Sequence, residues 1–135
     1  MVVDANLAVR ACLAESGFAE LEDQELVGPP LLWIEAASSL HELRWRGEIS
    51  RELAEVALTR LLSAPIAERR PRRLLERAWE VAEQLGWAKL YDAHYVALAS
   101  LMNEPLLTLD GRLRRGAAGA VNVLGPTELG VSDRD

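Results

Sequence analysis

Short apolar runs of strand length, separated by longer stretches of helical composition, recur along the whole of this chain. The runs are Met1-Val-Val-Asp4, Leu26-Val27, Pro65-Ile66-Ala67, Pro105 to Leu109, and Val121 to Leu124. Parallel strands need a long crossover, usually a helix, so this alternation predicts a mainly parallel sheet of four to five strands with helices on both faces. The intervening stretches carry helix punctuation. Asn6 to Ser16 stops at Gly17, and a helix opened by Pro29-Pro30 stops at Gly47. Ser50 is a fair N-cap for a helix that ends before Pro65. Pro71 opens a long helix with Leu75, Ala78, Ala82 and Leu85 on one face, ended by Gly86. Tyr91 to Met102 and a short segment around Leu113 complete the set.

At 135 residues the chain fits one domain, expected over residues 1–126 with a short polar tail over 127–135. Half the residues are apolar and 27% are charged, which argues against disorder. The single cysteine, Cys12, excludes an internal disulfide framework and a Cys-rich zinc site. No apolar run approaches the roughly 18 residues that span a membrane, and the first residues lack the features of a secretory leader. The reading is a cytoplasmic protein with no membrane partner. A net charge of −6 argues against a generic nucleic-acid coat protein. Yet all but one of the 15 basic residues are Arg, Lys89 being the exception, and Arg suits phosphate recognition.

The informative feature is where the acids fall. Asp4 ends the first strand run and Asp110 ends that of Leu106 to Leu109. In an open parallel sheet the ligand crevice lies beyond the carboxyl ends of the strands, where the strand order reverses. Both aspartates would face one crevice if their strands are neighbours. Glu35 and Asp92 interrupt apolar helical stretches, Leu31-Leu-Trp-Ile-Glu35-Ala and Leu90-Tyr-Asp92-Ala-His-Tyr. A carboxylate among apolar neighbours must be paired, hydrogen-bonded or metal-bound. No basic residue lies within helical pairing distance of Glu35, whose i+3 and i+4 neighbours are Ser38 and Ser39. Carboxylate-only clusters select hard cations such as Mg²⁺ or Mn²⁺. Each acid also has a purely structural reading: Asp4 and Asp92 as helix caps, Asp110 as a turn residue.

In order and spacing, the four segments Val2-Val-Asp4-Ala-Asn6, Leu31 to Ala36, Leu90 to Ala99 and Leu106-Leu-Thr108-Leu-Asp110-Gly-Arg-Leu113 resemble the PIN-domain ribonucleases of the VapC toxin type. The resemblance implies a three-layer α/β/α sandwich and a Mg²⁺ or Mn²⁺ site formed by Asp4, Glu35, Asp92 and Asp110. It implies support from Asn6, and from Thr108 as the residue that orients Asp110. It further implies hydrolysis of single-stranded or loop RNA, such as tRNA, by metal-activated water, a homodimer, and silencing by a VapB-like antitoxin. Arg112, Arg114 and Arg115, which follow Asp110, are candidate RNA contacts. The run Arg69 to Arg77 reads as a solvated face, Trp33 and Trp79 as core, and Trp45 as an interface residue. Cys12 reads as a packed thiol, and His41 and His94 as satisfied side chains.

Two alternatives stand beside this reading: a PIN-like domain that binds RNA or a partner without cleaving, and a PIN nuclease of RNA maturation outside a toxin pair. An aspartate-nucleophile phosphatase is disfavoured, because the position two after Asp4 is Asn6 rather than a second aspartate.

Overall fold

The structure, a computed structural model, describes residues 1–129. Five strands form one sheet: β1 (Val2–Val3), β2 (Leu26–Gly28), β3 (Ile66–Glu68), β4 (Leu106–Leu107) and β5 (Val123–Leu124). The helices are α1 (Ala5–Leu13), α2 (Leu31–Trp45), α3 (Arg51–Leu62), α4 (Leu74–Leu85), α5 (Tyr91–Met102) and α6 (Gly111–Ala117). Every strand pairing is parallel and the order is β3-β2-β1-β4-β5. This is the expected three-layer α/β/α sandwich. The expected tail begins within a 3₁₀ turn over Pro126–Leu129, and residues 130–135 lie outside the described residues.

The order places the reversal between β1 and β4. From β1 the chain builds outward through β2 and β3, then returns to the other side of β1 with β4 and continues to β5. Val2 pairs with Leu106 and Val3 with Leu107, so the carboxyl ends of β1 and β4 are side by side. All four residues are completely buried, as strands covered on both faces must be.

Helix α5 is the element most deeply set. It packs on β1, β4 and α4. Ala93, Tyr95, Val96, Ala97, Leu98 and Ala99 are all buried, and a helix apolar almost all round has no other stable place. Its C-terminus follows the sequence, with Asn103 in the left-handed conformation as the cap. On the other side, α1, α2 and α3 pack on one another, and the Arg60 guanidinium donates to the carbonyls of Cys12 and Ala14 at the end of α1. In α2 the buried stripe is Leu32, Ala36 and Leu40, with Trp33 packed partly buried beside it.

Three expectations need correction. Helix α4 starts at Leu74, three residues after Pro71, and buries Leu74, Ala78, Val81 and Ala82. Leu75 and Trp79 therefore point outward, 64% and 61% exposed, and Trp79 is not a core residue. The adjacent pair Leu74-Leu75 offers two apolar registers of the same period, and docking on α5 selects the first. Strand β5 begins at Val123 rather than Val121, and α1 ends at Leu13, before Ser16.

Because Leu98 is wholly enclosed in α5, Leu98→Ala should lower the unfolding free energy by about 2–5 kcal/mol, read as a lower urea midpoint with unchanged m-value.

Candidate active site

The two strand-terminal aspartates meet at the strand-order reversal. Asp4 leaves β1 as the N-cap of α1: its Oδ1 accepts from the Leu7 backbone N–H at 3.0 Å. Asp110, three residues beyond β4, caps α6, its Oδ1 accepting from the N–H groups of Arg112 and Leu113 at 2.9 and 3.3 Å. The cap readings of Asp4 and Asp110 are thus correct in local geometry. They do not compete with a ligand role, since a helix N-terminus favours a carboxylate.

Thr108 links the two. Its hydroxyl donates to Asp4 Oδ2 and accepts from the Asp110 backbone N–H at 3.0 Å. Thr108 therefore orients Asp4 through its side chain, and touches Asp110 only through the backbone. Asn6 is exposed at the second position of α1, and the hydrogen bonds to Asp4 come from Leu7 and Thr108 instead.

Asp92 is not a cap. Helix α5 starts at Tyr91 behind Leu90, and Asp92 stands half-buried in its first turn. Glu35 stands in the second turn of α2, half-buried, and accepts a hydrogen bond from the Tyr95 hydroxyl. Tyr95 is almost fully buried in the middle of α5, so this bond fixes α2 to α5 at the level of the acids. No motif in the sequence marks it, because the two residues are 60 positions apart.

Asp4, Asp92 and Asp110 act on one another electrostatically, and Glu35 joins them through Tyr95. Burial pushes the Asp4 carboxyl up to about 6, against the pull of its hydrogen bonds from Thr108 and Leu7, and the charges of Asp92 and Asp110 add to the rise. Asp92 is also raised, by burial and by Asp110, while Arg112 opposes the shift. The Tyr95 hydroxyl is held protonated by burial and by Glu35, with Asp4 and Asp92 contributing. Among the described residues no three Asp, Glu, His or Cys side chains form a ready-made metal cage. The donor set nevertheless fits a hard divalent cation in kind. It is all carboxylate oxygen, and its most buried member, Asp4, is paired with no Arg or Lys among the described residues. Cys12 is buried, its thiol pushed up to about 11 by that burial, and the His94 Nδ1–H donates to the Leu90 carbonyl at 2.7 Å.

A groove of about 570 Å³ opens beside the acids, lined by Glu35, Asp92, Trp87, Lys89, Tyr91 and Arg112, among others. Of the three arginines after Asp110, only Arg112 lines it. Arg114 is paired with Glu128, and the Arg115 guanidinium folds back against Gly111. Within the expected solvated run, Arg73 pairs with Glu76 and Glu80, and Arg77 with Glu80. Trp45 is 83% exposed, as an interface residue would be.

The raised Asp4 carboxyl has a consequence for stability. Its pKa in the folded chain, about 6, exceeds the ordinary 3.8, so above pH 6 the buried charge costs up to about 3 kcal/mol. That cost disappears as pH falls from 6 toward 3.8, because the folded state takes up the proton first. In EDTA, Asp4→Asn should therefore raise the melting temperature at pH 7.5 by a few degrees. The gap to wild type should narrow to about a third as pH is lowered to 4.5, which a pH series of thermal melts would read.

The profile of the PIN domain family matches residues 1–119. Ribonuclease VapC9 of Mycobacterium tuberculosis is 35% identical over 114 residues, which cover 84% of this chain and 87% of that protein. Ribonuclease VapC1 of the same organism is 38% identical over 120 residues, covering 83% and 86%. The crystal structure of PAE2754 from Pyrobaculum aerophilum superposes with a TM-score of 0.72 at 27% identity, over 95% of this chain and 92% of that one. FitAB, in a structure bound to an IR36 DNA fragment, shares the fold, with a TM-score of 0.63 at 14% identity over 99% of both chains. With fold, matched family profile and relatives in agreement, the chain belongs to the PIN domain family, among its VapC ribonucleases.

Proposed function

We propose that this protein is a Mg²⁺- or Mn²⁺-dependent endoribonuclease, residues 1–126 acting as one nuclease domain, and the toxin of a toxin–antitoxin pair. The observation that carries the reading is the meeting of buried Asp4 with the Thr108–Asp110 segment at the strand-order reversal, joined through the Thr108 hydroxyl, with Asp92 near enough to raise the Asp4 carboxyl. Burying like charges is a cost to the metal-free fold that a bound cation offsets.

Asp4, Glu35, Asp92 and Asp110 would hold the cation. Once bound, it supplies a water acidic enough to attack a phosphodiester near neutral pH, and positive charge against that growing on the phosphate. The chain's own residues set the stage. Thr108 holds Asp4, and Tyr95 holds Glu35. Arg112, beside Asp92, and Lys89, which also lines the groove, offer charge to the phosphates flanking the scissile bond. Relatives named VapC ribonucleases support the nuclease reading and, with it, a VapB-like antitoxin as partner. The exposed Ile34, Trp45, Leu75 and Trp79 supply apolar surface for that antitoxin and for a second copy of the chain in a homodimer. No helix among the described residues is long and apolar enough to cross a membrane, in keeping with action in the cytoplasm.

Incubating the purified chain with a pool of tRNA and single-stranded RNA tests the reading. Cleavage should appear with Mg²⁺ or Mn²⁺, vanish in EDTA, and fall about a hundredfold or more in Asp92→Asn, whose circular dichroism should match wild type. Cleavage that persists in EDTA or in the variant would refute the assignment. Millimolar Mn²⁺ should also raise the melting temperature of wild type but not of Asp92→Asn, because it binds the folded carboxylates only. Tyr95→Phe keeps the ring and loses the hydroxyl that holds Glu35. It should cut cleavage by about 10- to 100-fold while the protein stays folded, measured under single-turnover conditions.

A further inference from the structure

We propose that the wall of the groove formed by Trp87 and Tyr91, with Lys89 between them in sequence, is a stacking site for one unpaired nucleobase beside the scissile phosphate. It rests on the nuclease reading above and names the residues that would hold the base next to the cut.

The wall is preorganised by local structure. Helix α4 ends at Gly86, whose φ of 71° is a left-handed conformation that side-chain-bearing residues rarely adopt. The next N–H, that of Trp87, turns back to the Ala82 carbonyl at 2.9 Å. This fixes the backbone from which the indole projects. The indole then lies against α6 at Gly116, where an added Cβ would stand 3.0 Å from Trp87 Cζ2. Gly116 is the space that the ring occupies. Tyr91 opens α5 directly before Asp92 and is 54% exposed, so its ring is available at the groove while its neighbour in sequence is one of the acids.

The groove is thus two-sided in charge and has an aromatic wall. Glu35 and Asp92 mark the metal end, and Lys89 and Arg112 supply cations. Aromatic faces beside cations next to a phosphodiester-cutting centre suit a splayed-out base and its flanking phosphates. A paired base in a duplex has both faces covered by its own stack and offers no face to Trp87 or Tyr91. At about 570 Å³ the groove is of the size that takes one small ligand rather than a helix.

Binding measured in EDTA isolates this site from cleavage. Fluorescence anisotropy with a short labelled single-stranded RNA should show Tyr91→Ala weakened by about tenfold or more, and Tyr91→Phe unchanged, since the ring stacks without its hydroxyl. Lys89→Met should flatten the salt dependence of log K by about 0.7, the value of one phosphate contact on a single strand. The same RNA annealed to its complement should bind equally to wild type and to Tyr91→Ala. Single-stranded RNA should quench tryptophan fluorescence in wild type, and Trp87→Phe should lose most of the quench. The proposal is overturned if Tyr91→Ala binds single strands as wild type does, if Tyr91→Phe fails as badly as Tyr91→Ala, if the duplex loses as much as the single strand, or if the quench survives in Trp87→Phe. The two readings fail separately. A Tyr91-dependent affinity without metal-dependent cleavage would leave the site standing and sink the nuclease, and the reverse would sink only the site.

Discussion

The parallel pairing of β1 with β4 is the contact on which the rest of the structure depends. Each strand is two residues long, and the register joins Val2 to Leu106 and Val3 to Leu107. Nothing local holds together residues more than a hundred positions apart in sequence. Their entire burial under α5 does so, because each apolar strand can leave water only by lying beside the other. Once that pair forms, Asp4 and the Thr108–Asp110 segment emerge at the same sheet edge, and the Thr108 hydroxyl closes the link to Asp4. The candidate site is therefore a product of the complete fold. No subset of consecutive elements contains it, since Glu35 comes from α2, Asp92 from α5 and Asp110 from the start of α6.

The same geometry sets an electrostatic conflict. Helix N-termini, a threonine hydroxyl and a tyrosine hydroxyl each favour carboxylate charge, and burial with like neighbours opposes it. For Asp4 the opposition prevails, as its carboxyl rises to about 6 despite two hydrogen bonds. With no cation bound, the charge on Asp4 is costly above pH 6, and a bound cation offsets that cost. Stability and metal affinity are then the same free energy seen from two sides.

Much of this was legible in the sequence, for reasons that differ by element. Helix α5 agrees with its expected bounds, Tyr91 to Met102, because an almost unbroken apolar helix has one period and clear ends. The strand-terminal positions of Asp4 and Asp110 follow from apolar runs that stop at an acid, and their adjacency, an assumption when read from sequence, is the β1–β4 register. What escaped is what depends on packing between distant segments. Leu74 and Leu75 carry the same hydropathy, so only the docking of α4 on α5 decides which one faces inward. Lys89 belongs to no motif and Tyr91 carries no expected role within its own, and both reach the groove because Gly86 turns the chain there. The Tyr95–Glu35 bond joins two residues that each look self-contained in their own helix.

How a chain of net charge −6 would handle a polyanion follows from where its cations are spent. Arg46, Arg51, Arg73, Arg77 and Arg114 are paired with glutamates, and Arg60 with carbonyls of α1. Most of these pairs are exposed and contribute little to stability, while Arg69, Arg70 and Arg72 stand exposed beside β3. The groove keeps Lys89, and Arg112 stands beside Asp92. A net charge of −6 keeps long-range attraction to nucleic acid small. Selection must then come from short-range features: the oxygen ligands that need a cation, and aromatic faces that need an exposed base. An acidic surface and a local cationic, aromatic groove are in this way one device, which turns away indiscriminate binding and keeps the affinity at the place where a phosphodiester can be cut.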